Sequence, residues 1–161
     1  MPQWTLFEHD FRSIDQTLGD LIDRTNAISV HLVDRSGQLI TSAGRVGDLD
    51  PTGFASLIAA EFSANSELAQ MLGDAGVDAV VSEGKTRSVY SCMLAGRVIM
   101  ATVFDRRSTL GLVRFRANRA AQALDGVFRG LLEKVGLVDT AFTEPHFAAA
   151  AAQQVDALFG D

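Results

Sequence analysis

Residues 88–124, SVYSCMLAGRVIMATVFDRRSTLGLVRFRANRAAQAL, change once from a strand pattern to a helix pattern, and that switch narrows the folds open to the chain. Two β-rich runs are followed by a turn and a long amphipathic helix. The runs 88–94 and 97–104 are separated only by Ala95-Gly96, which suits a tight hairpin. The second run is too apolar to keep a wet face, so it is expected to be a central strand.

A chain of 161 residues is within the usual size of one domain and can bury a core without disulfides or metal. The single cysteine, Cys92, lies inside a predicted strand and has no intrachain partner. It reads as a small apolar core residue in a reducing compartment, with a reactive thiol as the alternative. No segment has the uncharged apolar length of a membrane span, and the N-terminus, MPQWTLFEHDF, is acidic where a signal peptide would be basic. A cytoplasmic location is expected. The formal charge of −6 argues against nonspecific binding to nucleic acid or to anionic membranes.

Phe7, Phe11, Ile14, Leu18 and Leu21 recur at helical spacing and predict a first helix over 6–24. Gly19 costs it about 1 kcal/mol relative to alanine, which the apolar stripe offsets. Residues 27–34 and 38–43, joined by Arg35-Ser36-Gly37, form a predicted hairpin. Asp50-Pro51 is a helix start, aspartate being able to cap free N–H groups and proline being preset for the first helical position. This second helix is expected to run to about Leu72 and stop at Gly73. A short strand over 79–83, the two strands of the central hairpin and a helix over 110–135 complete the order α-β-β-α-β-β-β-α. Val113, Ala117, Ala120, Leu124, Val127 and Leu131 share one face of that last helix. Short hairpins imply an antiparallel sheet, hence an α+β or three-layer sandwich. The character changes after residue 135, so the expected organisation is one domain over 1–135 and a linker with a short amphipathic helix over 136–161.

Signs of self-contained catalysis are missing. The stretch AVVSEGKT, 79–86, ends like a phosphate-binding loop, but Ala79 stands where the first glycine belongs and a strand follows where a helix should. It is expected to be a strand running into a polar hairpin. His9, His31 and His146 lie on different elements without a ligand-spaced partner, so no metal is expected. No nucleophile elbow, catalytic triad or HExxH pattern occurs, and Asp20 with Asp23 fits a solvated helix face. Arg106, Arg107, Arg114, Arg116 and Arg119 concentrate positive charge near the start of the last helix. The bland reading is a solvated face; the sharper one is a contact for an acidic protein surface or for a nucleotide held by a partner. Nucleic acid ranks third, on the ground that no aromatic residues interleave with these arginines to stack bases.

The second helix is too apolar for its size. Phe54, Leu57, Ile58, Phe62, Leu68, Ala69 and Leu72 define one arc, and Ala60, Ala64 and Met71 widen it past half the circumference. Glu61 and Asn65 fall inside it, and an unpaired glutamate in a dry core is costly. Part of the arc should therefore lie at a seam with a partner, where the small Ala60, Ser63 and Ala64 allow close approach. In the tail, Phe147, Ala151, Val155, Leu158 and Phe159 fall on one side of a short helix. Such a helix is marginal alone, and each docked large side chain would contribute about 1.5–3 kcal/mol. A disordered tail and a docked helix both remain open.

The segments VDRSGQLITSAG (33–44), FASLIAAEFSANSELAQMLG (54–73), SEGKTRSVYSCMLAGRVIMATVFD (82–105) and STLGLVRFRANRAAQAL (108–124) resemble the roadblock/dynein light-chain family. Within it they are most similar to the bacterial MglB-like regulators of Ras-like GTPases. Phe-Asp, a short polar turn and then LGLVR is the most specific piece. The resemblance implies a five-stranded antiparallel sheet with the second helix on one face and the first and last on the other.

It also implies a homodimer joined edge to edge at Ala79, Val80 and Val81, with the second helices paired around Leu57, Glu61 and Asn65. The implied partner is an MglA-like small GTPase in its GTP state, whose hydrolysis such regulators accelerate by repositioning its own arginine and glutamine. Its contact surface would comprise Ala60, Ala64, Glu67, Leu68 and Met71, with Phe147, Val155, Leu158 and Phe159 of the tail. The implied setting is cell polarity or gliding motility, with no active site, cofactor or metal of the protein's own. A non-activating roadblock scaffold, or a small-molecule sensor, are the alternatives.

Overall fold

The computed structural model describes residues 2–134, with side chains from Glu8 onward. The elements follow the expected order: α1 (Pro2–Thr25), β1 (Ser29–Asp34), β2 (Leu39–Gly44), α2 (Pro51–Met71), β3 (Ala79–Glu83), β4 (Ser88–Leu94), β5 (Val98–Phe104) and α3 (Leu110–Lys134). The strands form one sheet in the order β2-β1-β5-β4-β3, with every neighbouring pair antiparallel. The apolar run 98–104 is therefore the middle strand, flanked on both sides by partners. Strand β3 lies at one edge and β2 at the other.

Alternation along the strands sends side chains into two separate cores. Val30, Leu32, Tyr90, Cys92, Leu94, Val98 and Met100 face α1 and α3, where they meet Ile14, Leu18, Val113, Ala117 and Leu124. Val33, Val80, Ile99 and Ala101 face α2 and meet Ala55, Ile58, Ala59 and Phe62. The result is the α/β/α sandwich expected from the sequence. Cys92 is buried, and burial pushes its thiol up to about 12, so it behaves as an apolar core residue.

Turn chemistry accounts for the element ends. Ala95 and Gly96 both adopt positive φ, 54° and 66°, the conformation a two-residue type I′ hairpin requires. The Ala95 amide donates to Asp125 Oδ1 at 2.8 Å, tying this strained turn to α3. Helix α2 stops in a Schellman motif: Asp74 N–H donates to Ala69 O at 2.9 Å and Gly73 N–H to Gln70 O at 3.0 Å, with Gly73 at φ 81°. Behind the β1 end, Arg97 Nε donates to Asp34 Oδ1 at 2.8 Å in an almost fully buried ion pair. The Ser36 amide also donates to Asp34 Oδ2, at 2.9 Å.

Two expectations need correction. Asp50 makes no side-chain cap hydrogen bond; Pro51 starts α2, and the Asp50 backbone carbonyl accepts the Phe54 amide at 2.9 Å. Arg97 precedes β5 rather than opening it, its guanidinium being engaged with Asp34. On α3 the expected face packs as read, with Val127 half-buried against the α1/α3 core, and Phe128 and Leu132 are buried beside it. A helix of 3.6 residues per turn drifts relative to a regular three-and-four spacing, which widens the face to take in Phe128 beside Val127 over so long a helix.

Candidate functional site

Helix α2 has 21 residues but buries only Ala55, Ile58, Ala59 and Phe62. Phe54 packs half-buried against the same core and Ala69 is half-buried, while the other apolar residues of the wide arc face outward. Leu57, Leu68 and Met71 are 72%, 57% and 83% exposed, and Leu72, just past the helix, is 86% exposed. Leu57, Ala60, Ala64, Leu68 and Met71 succeed one another at intervals of three or four residues, so they form one continuous stripe along the helix. Scattered exposed leucines are ordinary on a protein surface, but a stripe with a small-residue centre and large ends has the form of a helix-pairing seam.

The polar residues expected inside that arc stay close to water. Glu61 and Asn65 are both half-buried, and Asn65 Nδ2 donates to the Glu61 backbone carbonyl at 2.9 Å. No dry burial of the Glu61 carboxylate occurs in this chain taken alone. Glu67 is exposed beside Leu68.

At the sheet edge, Ala79 and Val81 are half-buried against the α1/α3 core, and Val80 is buried in the α2 core. Strand β3 pairs only with β4, which leaves its outer backbone edge open among the described residues. The expected GTPase and self-pairing residues thus share α2, while Ala79, Val80 and Val81 occupy an edge strand. Phe147, Val155, Leu158 and Phe159 lie outside the described residues, as does the tail helix expected around them.

Beneath α2 lies a polar group that periodicity did not single out. His31 is buried, with Nε2 2.8 Å from Ser29 Oγ and Nδ1 3.0 Å from Ser42 Oγ, and its ring is 4.7 Å from that of Phe54. Burial without a counter-charge pulls its pKa down to about 4, so the imidazole is neutral at physiological pH. One hydroxyl and one ring nitrogen then donate while the others accept.

The other candidates resolve simply. The stretch 79–86 is β3 and a hairpin turn, with the Gly84 amide donating to Arg87 O at 2.9 Å and β4 following, so the phosphate-loop reading fails for the expected reason. Among the arginines near α3, an aromatic residue does intervene. Phe115 is half-exposed, with the Arg116 and Arg119 guanidiniums 5.4 and 5.3 Å from its ring centre, and Arg114 lies 5.8 Å from that of Tyr90. The stated ground for ranking nucleic acid third among partners of these arginines therefore falls, since the RFR triplet already carries the stacking residue.

No protein-family model and no curated protein matches the chain. Solved structures do. Myxococcus xanthus MglB is 37% identical, with a TM-score of 0.71 over 75% of this chain and 91% of that one. The chain belongs to the MglB-like roadblock family. The gliding protein MglB of Thermus thermophilus has the same fold at 24% identity, with a TM-score of 0.69 over 73% of this chain and 90% of that one. A roadblock/LC7 domain from Streptomyces avermitilis has it at 15% identity, with a TM-score of 0.66 over 71% of this chain and 97% of that one. In this MglB-like chain the sandwich, the edge strand β3 and the exposed stripe of α2 are the parts that position candidate contacts. No helix among the described residues is long and apolar enough to cross a membrane.

Proposed function

We propose that this MglB-like chain is a homodimeric regulator that binds a small Ras-like, MglA-like GTPase in its GTP state and stimulates GTP hydrolysis, in the control of gliding motility or cell polarity. The observation that carries the reading is the outward apolar stripe of α2 on a chain 37% identical to an MglB. Two roles fall on that helix. Leu57, Glu61 and Asn65, with the β3 edge, serve self-pairing; Ala60, Ala64, Glu67, Leu68 and Met71 serve the GTPase.

The protein supplies no reacting group of its own. Its contribution is a rigid surface that holds the GTPase's catalytic side chains in place, since positioning and charge stabilisation dominate phosphoryl transfer. The roadblock domain occupies residues 1–135, and the segment 136–161 adds a second contact through Phe147, Val155, Leu158 and Phe159. A cytoplasmic location follows from such a partner.

Single-turnover GTP hydrolysis by an MglA-like GTPase, with and without this protein, tests the reading. Stimulation is expected with the native chain and loss of it with Ala64→Arg, which places a charge on an exposed site without touching the core. Binding without stimulation would replace the activator by a passive scaffold. Undiminished stimulation by Ala64→Arg would refute the placement of the contact.

A further inference from the structure

A second feature lies off the α2 stripe, at the end of the sheet where β2, β3 and β5 terminate. The β2–α2 connection, the β3–β4 turn and the β5–α3 turn meet there around a hollow of about 570 Å³. Each contributes an arginine: Arg45, Arg87 and Arg107. Two carboxylates, Asp48 and Asp105, share the wall with them.

The charges are not all equally available. Asp105 is held by Arg107, whose backbone amide and Nε donate to Oδ1 at 3.0 and 3.1 Å, and this pair fixes the turn into α3. The guanidiniums of Arg45 and Arg87 have no hydrogen bond or salt bridge among the described residues. Both residues are exposed. The hollow thus offers two guanidiniums on separate loops without a hydrogen bond of their own, Arg45 lying within the field of the Asp105 carboxylate, and a third already oriented by that carboxylate. A planar guanidinium fork matches the oxygens of a phosphate, and forks approaching from several directions suit a compact anion better than a flat acidic surface.

The rest of the wall is apolar. Val46 and Leu49 are 44% and 38% exposed beside the arginines, although neither belongs to the α2 stripe. A volume of this size is that of small-molecule sites, which combine apolar lining with a few convergent polar groups.

We propose that this hollow binds the phosphate of an organic phosphate of the nucleotide class, with Arg45 and Arg87 on the phosphate oxygens and Val46 and Leu49 against the apolar or aromatic remainder. Arg107 completes the cradle without leaving Asp105. The site is independent of the GTPase contact proposed above.

Titration calorimetry of the full chain with ADP, with pyrophosphate and with sulfate tests it, alongside sedimentation with vesicles containing a phosphoinositide. Saturable binding of ADP and pyrophosphate is expected, weakened by at least about tenfold in R45A/R87A, a change that corresponds to about 1.4 kcal/mol. Thermal melting of that variant should match the native protein, because both side chains are exposed. Binding of phosphoinositide vesicles alone, abolished in R45A/R87A, would overturn the nucleotide class and assign the phosphate to a lipid headgroup. Overturning results are no saturable binding of any of these phosphates, sulfate binding as tight as ADP, or affinities that R45A/R87A leaves within about threefold.

Discussion

Replacing Leu57 by alanine probes the α2 stripe with little effect on the fold. Its side chain is 72% exposed, and the buried side of α2 consists of other residues. Full burial of a leucine stabilises by about 1.5–3 kcal/mol, so covering the exposed part is worth about 1–2 kcal/mol. In a two-fold symmetric pair the residue appears once on each copy, and the loss doubles to about 2–4 kcal/mol per dimer. Each 1.4 kcal/mol is a factor of ten, so the dimer dissociation constant should rise by about 30- to 1,000-fold.

Sedimentation equilibrium over a concentration series measures that constant directly. Thermal unfolding above the dissociation range checks the single subunit, whose stability should change by no more than about 0.5 kcal/mol, as usual for exposed positions. A dissociation constant within threefold of the native value would refute the assignment of Leu57 to a self-pairing seam. Met71→Ala provides the contrast. At 83% exposed it belongs to the proposed GTPase contact, so it should weaken stimulation while leaving the dimer constant unchanged.

Two further perturbations concern the interior. Asp34→Ala removes the carboxylate from the buried Arg97 guanidinium and should cost about 3–5 kcal/mol in urea unfolding, with Arg97→Met on top recovering part of it; full stability of the single variant would refute the pairing. His31 is neutral in the fold down to about pH 4 but takes up a proton near 6.5 when unfolded, so the unfolded chain binds more protons between those values. Stability should therefore be complete above pH 6.5 and fall by up to about 3 kcal/mol as pH drops to 4; an NMR titration of His31 with a midpoint near 6.5 would refute this.

Much of this architecture was legible because the signals were local and mutually consistent. The apolar run 98–104 had to be central, and the Ala95-Gly96 spacing fixed its pairing with β4. Gly73 marked the end of α2, since a left-handed residue there satisfies the last carbonyls. The width of the α2 arc, read as an excess over what one core could cover, corresponds to the exposed Leu57, Leu68 and Met71. What stayed hidden depends on tertiary meeting. Nothing local to His31 announces that Ser29, Ser42 and Phe54 surround it, because those residues come together only when β1, β2 and α2 are assembled. The Arg97–Asp34 pair joins residues 63 positions apart, so the arginine looked like an ordinary strand residue. Arg45, Arg87 and Arg107 likewise sit on three separate connections, and only the order of the strands brings those connections to one end of the sheet.

The two cores also differ in what they ask of their helices. The α1/α3 side contains 21 buried apolar residues among those described, including long side chains from both helices. The α2 side contains eight, of which α2 supplies only two large ones, Ile58 and Phe62, over a layer that includes the buried polar His31. Helix α2 is thus held by a narrow apolar strip with polar hydrogen bonds beneath it. Elements with few buried apolar contacts occupy the lower end of local stability. A partner that covers the outer stripe therefore does more than add contact area: it encloses the least anchored helix of the sandwich between two apolar surfaces. If α2 is the contact proposed above, binding should therefore raise the local stability of α2 more than that of α1, α3 or the sheet, and hydrogen exchange that slows equally in all of them on binding would refute it.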